Sequence, residues 1–252
     1  IEKDNKTYLR SKMKGLRMKI NSEPLSKENL EPDTEILAVF VHSKLGQDII
    51  NKLPKLKMVA TMSTGFNHID LKTAKKKKMP VCNVPVYGEN TVAEQAFALM
   101  LGLSRKIFPA VKRVKEGVYD FHGLRGTDLK GKTLGIIGTG HIGVHMIRMA
   151  QGFEMNVVAF DAFPHKDLAK KFNFKYLTLN KLLAESDFIS LHVPLFPSTY
   201  HLINKKNIKK IKKGSFIINT ARGELIEPEA LLWALQKNKI AGAGLDVMED
   251  EN

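Results

Sequence analysis

Short apolar runs alternate with amphipathic segments along the whole chain. Residues 36–41 and 57–62 have the length and composition of buried strands, whereas residues 71–77 place their apolar positions at helical spacing. Strands that alternate with helices are typical of a parallel sheet covered by helices on both faces. The pattern therefore predicts an α/β protein.

The first 88 residues have an α/β pattern of their own. The predicted elements are a helix at 3–13, strands at 17–20 and 36–41, a helix at 45–52, a strand at 57–62, a helix at 71–77 and a strand at 81–84. A strand before the first helix would complete this pattern, and the chain opens on Ile1 rather than Met. We therefore expect the start of the protein to be missing from this sequence.

Residues 89–116 form the longest predicted helix. Thr91 is a candidate N-cap, and apolar residues then recur at helical spacing. Pro109 is expected to kink or divide the helix, because proline removes a backbone donor and clashes with the preceding turn. A loop at 123–132 follows, so 89–132 is predicted to connect two domains, 1–88 and 89–252.

Residues 133–252 predict six strands with intervening helices, which fits one doubly wound domain. The predicted strands are at 134–137, 156–160, 175–177, 187–193, 215–219 and 240–247. The predicted helices are at 142–149, from 166 onward, and at 179–184, 205–210 and 228–237.

Residues 133–143, TLGIIGTGHIG, predict a dinucleotide-binding turn. Gly138, Gly140 and Gly143 have the GxGxxG spacing between a buried strand and a helix. This spacing permits a tight turn, a close approach of a pyrophosphate and close packing of helix on strand. Asp161 ends the next strand, where a carboxylate can accept hydrogen bonds from the ribose hydroxyls. An ordinary glycine turn in another α/β unit is the alternative.

Composition narrows the class of protein. Apolar residues make up 43% of the 252, enough for a core, and no apolar run has the length of a membrane span. We recognise no signal peptide. The single cysteine, Cys82, excludes a disulfide framework and a cysteine-cluster metal site. We therefore predict a cytoplasmic protein without a metal.

The formal charge of +14 has two interpretations. Basic runs at 75–78 and 205–213 could attract nucleic acid, but they lack interleaved aromatic residues. Because lysine is spread along the whole chain, we favour a solvated basic surface that attracts anionic substrates and cofactors. No nucleic-acid or membrane partner is predicted.

Five motifs in a fixed order carry a family resemblance. They are NVPVYGENTVAE, GTGHIG, LHVPL, NTARGELI and AGLDVMEDE, at 83–94, 138–143, 191–195, 219–226 and 243–251. The series resembles the D-isomer-specific 2-hydroxyacid dehydrogenases, especially their D-lactate dehydrogenase branch. The resemblance covers nearly the whole chain. It implies a doubly wound parallel-sheet Rossmann domain beside a second, flavodoxin-like α/β substrate domain.

The resemblance also implies catalytic residues. Arg222 matches the family's arginine, and a guanidinium there could clamp a carboxylate and polarise a keto oxygen. Glu251 lies five residues after Asp246, the spacing of the family's acidic partner, which raises the pKa of an acid/base histidine. A surface arginine and a disordered acidic end are the alternatives.

The acid/base histidine itself is a departure from the family. The family places it in a PH motif well beyond the glutamate, whereas none of the eight histidines in this chain follows His201. We therefore expect this histidine to lie outside the given sequence.

Cofactor and substrate contacts follow from the same motifs. Besides the glycines and Asp161, the resemblance assigns NAD contacts to His141, Ile142, Val193, Pro194, Thr199, Thr220, Ala221, Arg222 and Asp246. It assigns substrate contacts to Thr64, Gly65, Tyr87 and Arg222. For Thr64, Gly65 and Tyr87, a turn or core role is an equal alternative.

The resemblance implies an NAD-dependent dehydrogenase that transfers a hydride between NAD(H) and a small 2-keto or D-2-hydroxy acid. Pyruvate and D-lactate are the first choice. Siblings acting on hydroxyisocaproate, glycerate or phosphoglycerate are alternatives, as is a non-catalytic NAD-sensing protein like the corepressors that resemble this family. A homodimer through the long helix from Thr91 is expected.

Overall fold

A computed structural model of the chain describes residues 3–251. The chain divides into two compact units, Ile1–Tyr87 and Gly88–Asn252. Both contain parallel sheets with helices between the strands, so the predicted α/β class is confirmed. The roles of the two units as substrate and dinucleotide domains remain predictions at this stage.

The first unit has a three-stranded parallel sheet in the order β1-β2-β3. Its core is apolar and includes Leu45, Ile50 and Val59, all buried. The elements are α1 (Lys3–Lys12), β1 (Ile36–Val39), α2 (Gln47–Asn51), β2 (Met58–Thr61), α3 (Leu71–Lys76) and β3 (Val81–Cys82).

The strand predicted at 17–20 is wrong. These residues are irregular, although Met18 and Ile20 are half-buried and alternate with exposed Arg17 and Lys19. The sheet of this unit consists of β1, β2 and β3, so the segment has no ladder partner in it. Alternation alone predicts a strand, but a strand exists only where a neighbour satisfies its backbone groups.

The second unit has a six-stranded parallel sheet in the order β6-β5-β4-β7-β8-β9. This is the doubly wound order, in which the order of the strands reverses between β4 and β7 and ligands bind beyond the carboxyl ends of the strands. The strands are β4 (Thr133–Ile137), β5 (Asn156–Phe160), β6 (Lys175–Tyr176), β7 (Phe188–Leu191), β8 (Ser215–Asn219) and β9 (Ile240–Leu245). The helices are α4 (Glu89–Ser104), α5 (Ile107–Lys115), α6 (His141–Gly152), α7 (Lys166–Lys171), α8 (Leu179–Glu185) and α9 (Pro228–Gln236).

The long predicted helix is divided in two. The break falls at Lys106, which has a left-handed φ of 55°, and Pro109 lies in the first turn of α5, where its missing N–H is tolerated. The predicted cap at Thr91 is wrong, because the N-cap is Gly88 and Thr91 lies inside the first turn of α4. The basic helix predicted at 205–210 is reduced to one 3-10 turn, Ile208–Lys210.

The two helices differ in burial. The apolar face of α4, including Ala96, Phe97 and Met100, is buried in the core of the second unit. No residue of α5 is buried, and its apolar residues stay on the surface. The apolar residues of the predicted long helix are therefore packed in the core in α4 and exposed in α5.

Candidate active site

The turn from β4 to α6 fits only small residues. Gly138 has a φ of +98°, and a Cβ there would lie 2.8 Å from the carbonyl oxygen of His192. A Cβ on Gly143 would lie 2.1 Å from the carbonyl oxygen of Gly138. Nothing lies within 4 Å of a Cβ on Gly140, so that glycine borders open space. Two glycines are thus required by packing, and the third leaves room for a ligand.

The N-terminus of α6 is suited to a phosphate group. Gly140 is its N-cap and provides no side-chain cap. The N–H groups of the first turn, from His141, Ile142 and Gly143, have no intrahelical acceptor by construction, and the helix dipole favours an anion there. The backbone contacts predicted for His141 and Ile142 are therefore available.

Asp161 lies directly after β5 and is hydrogen-bonded within the protein. Its Oδ2 accepts from the Thr139 N–H at 2.7 Å and from the Thr139 hydroxyl at 2.8 Å, while Oδ1 accepts from the Phe163 N–H at 2.9 Å. Burial raises the pKa of Asp161, but these three donors outweigh it, so the pKa is lowered. The carboxylate is thus charged at neutral pH.

The end of β7 has a half-buried histidine whose imidazole is neutral. His192 Nε2 lies 2.8 Å from the Ser190 hydroxyl. Burial lowers the pKa of His192 to about 3. Its Nδ1 is buried and has no hydrogen-bond partner among the described residues. Val193 follows, and its Cγ1 would lie 2.8 Å from a Cβ on Gly138. His192 can therefore offer a polar atom to a ligand beside the glycine turn.

Thr199 is used by its own loop. Its hydroxyl donates to the Pro194 carbonyl at 2.7 Å and accepts from the Phe196 N–H at 2.7 Å. The hydroxyl also lies 3.2 Å from the Phe196 carbonyl, so both acceptors for its one proton belong to the same loop, and the geometry favours a role in shaping that loop. A direct cofactor contact from Thr199 remains a prediction.

The end of β8 holds the predicted arginine in a fixed loop. The buried Asn219 side chain accepts from the Ala221 N–H at 3.1 Å and donates to the Arg222 carbonyl at 2.8 Å. The Arg222 guanidinium is half-buried and donates to the Ala221 carbonyl at 2.6 Å. The Thr220 hydroxyl is buried and has no partner among the described residues. This edge therefore presents a guanidinium and an unpaired hydroxyl.

The end of β9 packs against the arginine loop. A Cβ on Gly223 would lie 2.0 Å from the carbonyl carbon of Met248, so only glycine fits beside this segment. Asp246 accepts from the Gln95 side chain at 3.1 Å, and its N–H donates to the Asn219 carbonyl at 3.0 Å. The segment after β9 is thus fixed to the loop that carries Arg222.

The two glutamates of this segment have different partners. Glu251 accepts a hydrogen bond from the Met248 N–H. Glu249 pairs with His201 Nε2 at 2.8 Å and accepts from the Tyr200 hydroxyl at 2.9 Å. The hydrogen bond from His201 is the main cause of a lowered pKa at Glu249. The predicted role of Glu251 beside an acid/base histidine remains a prediction.

The first unit carries the remaining predicted residues. The Thr64 hydroxyl donates to the Val84 carbonyl at 3.0 Å, and the Gly65 carbonyl accepts from the Ser63 hydroxyl at 2.7 Å. Tyr87 is 64% exposed, which argues against the alternative of a core role for this side chain. The loop that carries Thr64 and Gly65 is therefore fixed by its own unit.

The structure brings most of the predicted residues of the second unit to one edge of its sheet. Gly138, Asp161, His192, the loop of Arg222, and Asp246 follow β4, β5, β7, β8 and β9 respectively. Buried atoms without partners at His192 and Thr220, the uncapped helix end and the glycine turn together fit a dinucleotide.

Three residues that form hydrogen bonds near this edge were not predicted from the sequence. Asn219 is a polar residue at the end of an apolar strand, a signal that could have indicated a fixed loop. Tyr176, which contacts Thr139, and His201, which contacts Glu249, give no such local signal.

No group of three or more histidine, cysteine, aspartate or glutamate side chains in residues 3–251 is arranged to hold a metal. No helix in the same range is long and apolar enough to cross a membrane.

Comparison with known proteins gives a consistent result. Residues 97–252 match the family described as D-isomer specific 2-hydroxyacid dehydrogenase, NAD binding domain. The chain is 40% identical to D-lactate dehydrogenase of Escherichia coli, over 86% of this chain and 66% of that protein. It is 42% identical to hydroxypyruvate reductase of Thermotoga maritima, over 93% of this chain and 76% of that protein.

A solved structure of similar fold has NAD and lactic acid bound. The D-lactate dehydrogenase of Aquifex aeolicus, complexed with NAD and lactic acid, matches with a TM-score of 0.94 and 37% identity. The match covers 100% of this chain and 76% of that one. The chain therefore spans about two thirds to three quarters of the length of these relatives.

Proposed function

Because the chain belongs to the NAD-dependent D-isomer-specific 2-hydroxyacid dehydrogenases, we propose that it reduces a small 2-keto acid to the D-2-hydroxy acid with NADH. Pyruvate is the proposed keto acid and D-lactate the product. The first unit is proposed as the substrate domain, while the second belongs to the family's NAD-binding domain. A cytoplasmic location remains a prediction.

The observation that carries the proposal is the position of Arg222. The residue lies just beyond β8, at the sheet edge where ligands bind in this topology. Its carbonyl accepts from the Asn219 side chain, its guanidinium donates to the Ala221 carbonyl at 2.6 Å, and the residue is half-buried. A guanidinium held there can bind a carboxylate through two parallel hydrogen bonds.

The chemistry divides between cofactor and protein. NADH, when bound, supplies a hydride from C4 of its nicotinamide to C2 of the keto acid. Arg222 binds the substrate carboxylate and polarises the keto oxygen as negative charge develops on it. Glu251 is proposed to hold the imidazole of the family's acid/base histidine. This imidazole gives the keto oxygen its proton, and a nearby carboxylate favours its charged form.

A reductase for hydroxypyruvate is the second candidate. The match to the Thermotoga maritima hydroxypyruvate reductase, at 42% identity, supports it. The two keto acids share the carboxylate and keto oxygen that Arg222 would bind, so they differ only in the group at C3.

A panel of keto acids tests the proposal. Pyruvate, hydroxypyruvate, glyoxylate and 2-ketoisocaproate are each incubated with NADH and the intact protein, and NADH consumption is followed by absorbance. We expect the highest kcat/KM for pyruvate, and oxidation of D-lactate but not of L-lactate. NADH binding without turnover of any keto acid would favour the NAD-sensing alternative instead.

A homodimer is also proposed, with the contact narrowed from the predicted long helix to its second part, α5. Ile107, Phe108, Val111 and Val114 are 46–57% exposed and recur on one face of α5. An amphipathic helix without buried residues is typical of an interface. We expect light scattering at micromolar concentration to give a dimer mass, and Val111→Asp to lower it. Leu232→Asp, at an exposed position of α9, is the control; a monomeric parent protein would contradict the proposal.

A further inference from the structure

Asp161 is the end of a chain of three hydrogen-bonded side chains. The Tyr176 hydroxyl on β6 lies 2.9 Å from the Thr139 hydroxyl, which lies 2.8 Å from Asp161 Oδ2. The Tyr176 hydroxyl oxygen also accepts from the His165 N–H at 3.2 Å. Thr139 is 3% exposed, so water has little access to the middle of the chain.

The direction of each proton follows from hydrogen-bonding capacity. A carboxylate only accepts, so the Thr139 hydroxyl must donate its one proton to Asp161. Thr139 can then only accept from Tyr176, which in turn must donate. The Tyr176 oxygen is left as the acceptor for the His165 N–H. The contacts are thus satisfied by a single arrangement of protons.

This arrangement fixes the Asp161 carboxylate. A carboxylate has about four acceptor positions, and three of them are used by the N–H and hydroxyl of Thr139 and the N–H of Phe163. The remaining position is on Oδ1. A ribose hydroxyl would therefore donate to Oδ1 and from one direction. The sequence predicted only that the carboxylate accepts from the ribose, without a choice of oxygen.

Tyr176 is itself held in place from two sides. Its backbone belongs to β6, which pairs with β5 at Ala159. Its ring meets the ring of Phe174 edge-on, with centroids 5.1 Å apart, and Phe174 is buried. A phenol on a paired strand with a packed ring has little freedom, so it can hold the Thr139 hydroxyl in one orientation.

We propose that Tyr176 is a positioning residue for cofactor choice, and that it favours NADH over NADPH by acting through Thr139 on Asp161. The inference rests on the proposed contact between Asp161 and the ribose. A carboxylate held in one orientation accepts from a ribose hydroxyl and repels a 2′-phosphate at the same place. Without the phenol hydroxyl, the Thr139 hydroxyl loses its donor and is freer to turn from Asp161 Oδ2. The carboxylate then keeps its two backbone donors but is held less firmly in the orientation that meets the ribose.

The test compares NADH and NADPH dissociation constants by calorimetry on the intact protein. Tyr176→Phe removes only the hydroxyl. Loss of one hydrogen bond predicts a rise of about 3- to 10-fold in the NADH Kd, with less than about a twofold change for NADPH. The ratio of the NADPH Kd to the NADH Kd, which measures the preference for NADH, should therefore fall. Tyr8→Phe, at an exposed tyrosine of α1, is the matched control and should leave the ratio unchanged.

Two further pairs separate positioning from a general structural role. Thr139→Val should lower the ratio as Tyr176→Phe does, whereas Thr139→Ser keeps the hydroxyl and should retain most of the ratio. In Asp161→Asn, adding Tyr176→Phe should change the ratio by less than about twofold, because the carboxylate is no longer charged. The Thr139 pair decides the question if Tyr176→Phe does not fold.

The outcomes distinguish the inference from the function it rests on. Equal NADH and NADPH constants in the parent protein would contradict the role of Asp161 itself. If the parent protein prefers NADH, either of two results would overturn the role of Tyr176 alone. The Tyr176→Phe variant could keep that preference, or it could lose affinity for NADH and NADPH by the same factor.

Discussion

The two ends of the proposed NAD site are built in different ways. At the β5 end, the Asp161 carboxylate is already held by three donors from the protein. At the β7 and β8 ends, His192 Nδ1 and Thr220 Oγ1 are buried without a partner among the described residues. One end is satisfied in advance, and the other carries polar atoms whose pairing depends on a ligand.

This difference has an energetic meaning. A buried polar atom without a partner costs about 1–3 kcal/mol, so two such atoms at one sheet edge reduce the stability of the protein alone. A ligand that pairs them recovers that free energy on binding. The β5 end, where Asp161 is proposed to accept from the adenosine ribose, is by contrast organised before binding and contributes selectivity. We call it the adenosine end. We therefore expect changes at the β8 end to affect turnover, and changes at Asp161 to affect cofactor choice.

The largest effect is expected for Arg222→Lys, at the β8 end. Lysine keeps the charge but loses the fork that binds a carboxylate through two hydrogen bonds. We expect kcat/KM for the keto acid to fall by at least about a hundredfold, or roughly 3 kcal/mol of transition-state stabilisation. The NADH Kd should barely change. Steady-state kinetics and calorimetry measure the two quantities.

Lys209→Arg, at an exposed site on the 3-10 turn, is a control that exchanges the same two cations in the reverse direction. It should leave both quantities unchanged. A variant of Arg222 with near-normal turnover would remove this residue from the mechanism and leave the comparison of the two ends without its catalytic side.

A second prediction concerns stability and pH at the β7 end. Burial lowers the pKa of His192 to about 3, below the ordinary value of 6.5. Between these values the unfolded chain binds a proton that the folded chain does not, so stability falls as the pH is lowered. From pH 6.5 to 5 we expect a loss of about 1.5 kcal/mol in the free energy of unfolding from this residue.

Urea unfolding at pH 6.5 and 5 measures this loss. His192→Asn should remove most of it, because asparagine does not titrate, whereas His145→Asn on α6 is the matched control. The same pH dependence in the His192→Asn protein would show that His192 is not held neutral by burial. In that case its unpaired Nδ1 could not be contrasted with the satisfied Asp161.

The sequence predicted the sheet of the second unit well, for a physical reason. Strands such as residues 134–137 are buried along their whole length and therefore read as continuous runs without a polar side chain. The glycine turn was also predictable, because only glycine fits at position 143, where a Cβ would strike the Gly138 carbonyl oxygen. Local rules predict what local geometry requires.

Contacts distant in sequence could not be predicted in the same way. Tyr176 and Thr139 are 37 residues apart, and His201 and Glu249 are 48 apart. Each pair meets only because the parallel sheet brings the ends of its strands to one edge. The division of the long helix was predicted from Pro109, but its position at Lys106 was not, since a left-handed lysine has no signal in composition. Topology decides these features after the elements have formed.

The smallest effect is expected at the adenosine end, for Asp161→Ser. Serine can still accept a hydrogen bond from the ribose but carries no charge to repel a 2′-phosphate. We expect the preference for NADH over NADPH, as a ratio of dissociation constants, to fall by about tenfold. The exposed Asp167→Ser, six residues further on at α7, is the control for loss of charge in this region and should leave the ratio within about twofold. With pyruvate and saturating NADH, kcat should stay close to that of the parent protein, because Asp161 lies beyond β5 while the proposed arginine lies beyond β8. A large fall in kcat with an unchanged ratio would reverse the assignment, and would mean that the satisfied end of the site, rather than the unpaired one, controls the chemistry.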